Sequence, residues 1–143
     1  MSDLIITSNL FLAFFLSAII GWLREMEGKS AGLRTHILVG TGAALFMIIS
    51  GSMLALAQGA DPGRIASGVV MGVGFIGAGC IMRGENKITG ITTASSIWVT
   101  SAIGVAAGAG LYVPAIVTTI ITAITLHWLG KAEHKIIKTR GFE

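Results

Sequence analysis

Five charged residues crowd eleven positions in Arg24-Glu25-Met26-Glu27-Gly28-Lys29-Ser30-Ala31-Gly32-Leu33-Arg34. Guanidinium forks of this kind hold carboxylate, phosphate or the acidic segment of a partner protein. Further along, Gly90-Ile91-Thr92-Thr93 places two threonine hydroxyls at a helix start whose free amides also favour an anion. Arg24, Arg34, Arg83, Thr92 and Thr93 therefore read as a pocket for an anion or an acidic partner, joined by Glu25, Lys29, Glu85 and Lys87 in an ionic cluster. The competing reading makes these charges a topology anchor at a membrane surface. Asp61-Pro62-Gly63-Arg64 is a second polar constellation. There the carboxylate caps a helix that proline is suited to begin, and Asp61 and Arg64 stand close enough to pair.

Catalytic chemistry has no comparable support. The chain lacks GxSxG, HExxH and Walker sequences, and Cys80, its one cysteine, excludes an intramolecular disulfide framework and a cysteine-rich zinc site. The glycines of Gly72-Val73-Gly74-Phe75-Ile76-Gly77-Ala78-Gly79 follow no strand, so they are not a dinucleotide fingerprint. Magnesium prefers carboxylate and water oxygens, yet no uninterrupted apolar segment contains a carboxylate. No catalytic residue, metal site or cofactor is expected. His127, beside Trp128, reads as an interfacial side chain.

The elements that position these residues follow from composition. Of 143 residues, 53% are hydrophobic and 12% charged, against about 25% charged in a soluble domain, and the mean hydropathy is +0.82. A polytopic membrane protein is implied. A bilayer core takes about 20 apolar residues per helix, and the uncharged intervals yield five spans at about 4–23, 36–57, 65–82, 91–109 and 111–129, followed by a basic tail at 131–143. The last two share one uncharged interval and divide near Gly108-Ala109-Gly110, just before Pro114.

Counting Lys and Arg around these spans gives nine on one side and Arg64 alone on the other. The positive-inside rule then places the N-terminus outside and the C-terminus in the cytoplasm. Met1-Ser2-Asp3 has no basic n-region, so the first span is not a cleaved signal peptide. The pI of about 9.4 follows this topology, and no nucleic-acid-binding motif accompanies it. The expected fold is an all-α membrane bundle of five transmembrane helices.

Helices in lipid meet through small residues. Gly68, Gly72, Gly74, Gly77 and Gly79 predict a central third span, in which a large side chain at Gly74 disrupts folding. Ser95, Ser96, Ser101, Gly104 and Gly108 predict an interior fourth span whose hydroxyls bond back to carbonyls or across helices. The first span, rich in Phe11, Phe14 and Phe15, is expected to face lipid or a second subunit, and a homodimer is anticipated.

Four linked motifs resemble the MgtC/SapB family of bacterial inner-membrane proteins. They are Arg24-Glu25 with Gly28-Lys29 and Ala31-Gly32-Leu33-Arg34-Thr35; Asp61-Pro62 with Arg64-Ile65-Ala66; Gly74-Phe75-Ile76-Gly77-Ala78-Gly79 with Ile81 and Arg83; and Gly90 with Thr92-Thr93-Ala94 and Trp98. The resemblance implies a multipass protein of magnesium homeostasis, associated in some members with virulence. It further implies action on other membrane proteins, such as the F-type ATP synthase, with an oligomeric magnesium or ion transporter or channel as the alternative. Two departures stand out. The sequence stops 13 residues after Gly130, a short form without the ACT-like domain of many relatives, and Ser67-Gly68 replaces an expected Ala-Gln.

Overall fold

The computed structural model describes residues 2–56, 61, 63–85 and 87–129. Pro62 and the basic tail lie outside the described residues. Five α-helices follow one another: α1 (Asp3–Met26), α2 (Leu33–Leu56), α3 (Gly63–Ala78), α4 (Ile91–Gly108) and α5 (Tyr112–Ile124). A two-stranded antiparallel hairpin, β1 (Met82–Arg83) and β2 (Ile88–Thr89), joins α3 to α4. The end of α5 continues as a π-helical turn, Thr125–Leu129.

The chain is an all-α membrane bundle. Among the described residues four helical stretches are long and apolar enough to cross a bilayer: Asp3–Met26, Leu33–Met53, Ile91–Gly108 and Tyr112–Leu129. The 16-residue α3 is shorter, about 24 Å at 1.5 Å per residue. It ends at Ala78, four residues before the expected boundary at Met82. Turn bonds from the Gly79, Cys80 and Ile81 amides close the helix there, and Met82 enters the hairpin, pairing with Thr89.

The central helix is α4, not α3. Nine of the 18 residues of α4 are buried, and it packs against each of the other four helices. In α3 only Val73 and Gly77 are buried. The physical reason lies in where glycine meets backbone. A Cβ on Gly104 would overlap the carbonyl oxygen of Gly40, and one on Gly108 would overlap that of Ala44, so α2 and α4 touch main chain to main chain. A Cβ on Gly68, Gly72 or Gly74 would meet nothing within 4 Å. The expected disruption by a side chain at Gly74 therefore has no basis in packing within one copy. Gly77 does face a neighbour, with its Cβ position 3.4 Å from the Ala94 carbonyl oxygen, whereas Gly79 lies against its own helix end.

Around this contact, Ala13, Leu16, Ile20, Ala44, Ile103 and Ala107 form the main apolar core, and Ala31, Val73 and Ile97 a smaller one. Phe11, Phe15, Phe75, Val113 and Ile121 are exposed, the outward apolar surface that a lipid-facing bundle requires. The hydroxyls of α4 and α5 mostly bond back within their own helices, including Thr100 to the Ser96 carbonyl at 2.7 Å and Thr119 to the Ala115 carbonyl at 2.8 Å. These side chains are thereby satisfied without water.

Candidate functional site

Arg24 is the most deeply placed charge among the described residues, at 2% exposure. It lies in the last turn of α1, where the antiparallel packing of α4 brings the first turn of that helix alongside. Its Nη1 donates to Glu27 Oε2 and its Nη2 to Thr93 Oγ1, each at 2.9 Å. Thr93 is itself buried. A guanidinium so placed is held by an ion pair at the end of its own helix and by a charge-assisted bond to a neutral hydroxyl across the bundle.

A cleft of about 880 Å³ opens here, with Arg24, Glu27, Lys29, Thr92, Thr93 and His127 in its wall. Gly90 turns the chain from β2 into α4 with φ of +87°, and a Cβ there would overlap the Cys80 carbonyl. Glycine is required at this corner for both reasons. The helix that follows has no side-chain cap.

The cleft thus unites Arg24, Lys29, Thr92 and Thr93 from the predicted pocket and leaves the others outside its wall. Glu25 points to the next helix, its Oε2 accepting the Leu33 amide of α2 at 2.9 Å. Arg34 and Arg83 are exposed, and neither forms an ion pair with a described residue. Thr35 is half-buried in α2. At the other end of the bundle Asp61 Oδ1 accepts the Gly63 amide at 2.8 Å, capping α3. Asp61 and Arg64 make no ion pair with each other.

Three polar residues outside the predicted set belong to this architecture. Glu27 stands three residues after Arg24, a helical neighbour by spacing alone. His36 is fully buried beneath the cleft, with Nδ1 2.8 Å from the Gly32 carbonyl and Nε2 3.1 Å from Ser96 Oγ. The carbonyl only accepts, so Nδ1 carries a proton and donates to it, while the single Ser96 hydroxyl proton is shared between Nε2 and the Thr93 carbonyl, 2.8 Å away. Asn9, 1% exposed, accepts the Tyr112 hydroxyl at 2.9 Å. Its signal was an amide in an otherwise apolar span, where interior polar groups find partners. Fifteen residues separate Asn9 from Arg24, about 22 Å along α1, so the two polar clamps sit at opposite ends of the bundle. Among the described residues no three His, Cys, Asp or Glu side chains gather to hold a metal ion.

An all-α bundle of lipid-facing helices with one buried cation at its rim defines a multipass membrane protein. The MgtC family model matches residues 10–135, and the chain belongs to that family. It is 50% identical over 123 residues to the Escherichia coli K12 protein named "Putative magnesium transporter YhiD", covering 82% of this chain and 57% of that protein. It is 41% identical over 129 residues to MgtC of Salmonella typhimurium LT2, covering 90% and 54%, and 41% identical over 109 residues to MgtC of Brucella abortus, covering 76% and 44%. The chain therefore spans about half the length of the curated relatives it matches. No solved structure matches it significantly.

Proposed function

We propose that the chain is a bacterial inner-membrane protein of magnesium homeostasis that works by binding other membrane proteins, not by turnover or conduction. The observation that carries this reading is the placement of charge. The deepest cation is clamped at one rim by Glu27 and Thr93, while Arg34 and Arg83 stand exposed at the same end. The positive-inside count puts that end in the cytoplasm, where two unpaired guanidinium groups suit an acidic segment of a partner. Family membership and the magnesium named for the Escherichia coli relative support the physiological assignment. The bilayer covers the apolar perimeter, and a second copy is proposed for the open face of Gly68 and Gly72, because small residues allow close helix contact in lipid.

Two measurements test it together. Purified chain in liposomes carrying a magnesium dye and a pH dye is expected to give no flux above empty liposomes. Cross-linked membranes are expected to yield a co-purifying complex, the F-type ATP synthase being the first to probe, that Arg34→Ala and Arg83→Ala variants lose. Robust, mutation-sensitive flux from pure protein would instead establish the oligomeric transporter or channel.

A further inference from the structure

The cleft at the Arg24 end presents more hydrogen-bond donors than the protein itself consumes. Arg24 is 2% exposed and lines the cleft, yet its Nε has no acceptor. The first three amides of α4, on Ile91, Thr92 and Thr93, have no partner within the helix and no side-chain cap, and all three residues stand in the cleft wall. The guanidinium is one hydrogen bond from that turn, through Thr93 Oγ1 at 2.9 Å. Lys29 contributes a second cation, and the half-buried His127 faces the same space. The one carboxylate among the described wall residues is Glu27, which sits on Arg24 Nη1 with 27% of its side chain exposed.

We propose that this cleft binds a phosphate group, which displaces Glu27 from Arg24 and is held between the guanidinium and the uncapped start of α4. Glu27 then acts as a tethered competitor that occupies the guanidinium when no ligand is present. A tetrahedral oxyanion suits the arrangement better than a carboxylate. Its several oxygens can accept at once from a guanidinium, a helix N-terminus and an ammonium that approach from different directions. The cleft volume, about 880 Å³, is that of an ordinary small-molecule site. The group reaches this rim from two sources, free phosphate in the aqueous phase and the headgroup of an anionic phospholipid. This inference goes beyond the proposed function, since it concerns what the cleft holds whether the bundle binds partners or conducts.

The test uses the full chain in phosphatidylcholine nanodiscs. In one arm inorganic phosphate is titrated calorimetrically at constant ionic strength. In the other a minor fraction of phosphatidic acid is included, and native mass spectrometry measures its retention. Saturable binding is expected in at least one arm, and the responding arm identifies the source. Arg24→Lys, which keeps the charge and loses the fork, is expected to weaken binding about tenfold, the scale of one charged hydrogen bond. Glu27→Gln removes only the competitor and is expected to tighten it about tenfold, so it decides the matter if Arg24→Lys does not fold. Arg64→Ala, at the opposite end, is expected to bind as the parent does. The proposal is overturned if folded parent protein binds saturably in neither arm, if Glu27→Gln leaves the affinity unchanged, or if Arg64→Ala weakens binding as much as Arg24→Lys.

Discussion

Two sets of glycines in this bundle share a sequence signature and occupy opposite environments. Gly104 and Gly108 face the backbone of α2 and Gly40 faces Ser17 of α1, each with neighbouring atoms already inside the space a Cβ would need. Gly68 and Gly72 border a groove between α2 and α3 with nothing in that space, and Gly74, on another side of α3, is equally open. Small-xxx-small spacing therefore marks a surface fit for close approach, and only the fold decides whether this chain fills it. In the first set the partner is another helix of the same copy. In the second any partner has to come from outside it.

The largest effect that could break the comparison is at Gly104. Gly104→Val forces a branched side chain into the Gly40 carbonyl, and a loss of about 3 kcal/mol or more is expected, read as failure to elute as a folded species in detergent. Gly72→Val, by contrast, is expected to leave the single-copy fold intact and change its stability by less than about 1 kcal/mol. If that variant also loses a dimer seen by detergent-phase mass measurement, the open face is the subunit contact. If the two variants unfold equally, the contrast between the two faces is wrong.

A second pair sharpens the same contrast among the charges. Arg24→Met removes bonds to Glu27 and Thr93 and is expected to cost about 2 kcal/mol, the range of a hydrogen bond to a charged group. Arg83→Ala, on the exposed hairpin, is expected to stay within about 0.5 kcal/mol of the parent; thermal melts in detergent compare them. At the far end Tyr112→Phe deletes the bond to Asn9, for an expected loss of about 1 kcal/mol. At the helix start Asp61→Ala removes the cap on the Gly63 amide, worth about 0.5–1 kcal/mol, and hydrogen exchange confined to the first turn of α3 reports it.

The sequence made the bundle legible because lipid imposes length and apolarity on every spanning helix, and the interruptions at Arg24, Asp61 and Arg83 mark the breaks between segments. It also exposed the polar rim, since charge this sparse is conspicuous. What it did not disclose was pairing. Arg24 and Arg34 have the same chemistry, but only Arg24 falls on the face of α1 turned toward Thr93, a fact set by helix rotation and by the start of α4 at Gly90. The central place of α4 was hidden for a related reason. Glycine density is higher in α3, yet burial depends on a complementary backbone, which Gly40 and Ala44 supply to α4 alone. Asn9 and His36 carry no charge to mark them in the sequence, yet neutral polar groups in an apolar interior need partners as much as acids do.

The π-helical turn at Thr125–Leu129 has a consequence for how the polypeptide leaves the bundle. Winding wider than an α-helix absorbs extra length into one turn, and that accommodation sets the azimuth at which His127 and Trp128 emerge. Excising one residue from this stretch would let ordinary winding resume, because the wider turn already absorbs that residue without changing the register on either side. Leu126 thereby keeps its place in the core and His127 its place in the cleft wall within a single wide turn.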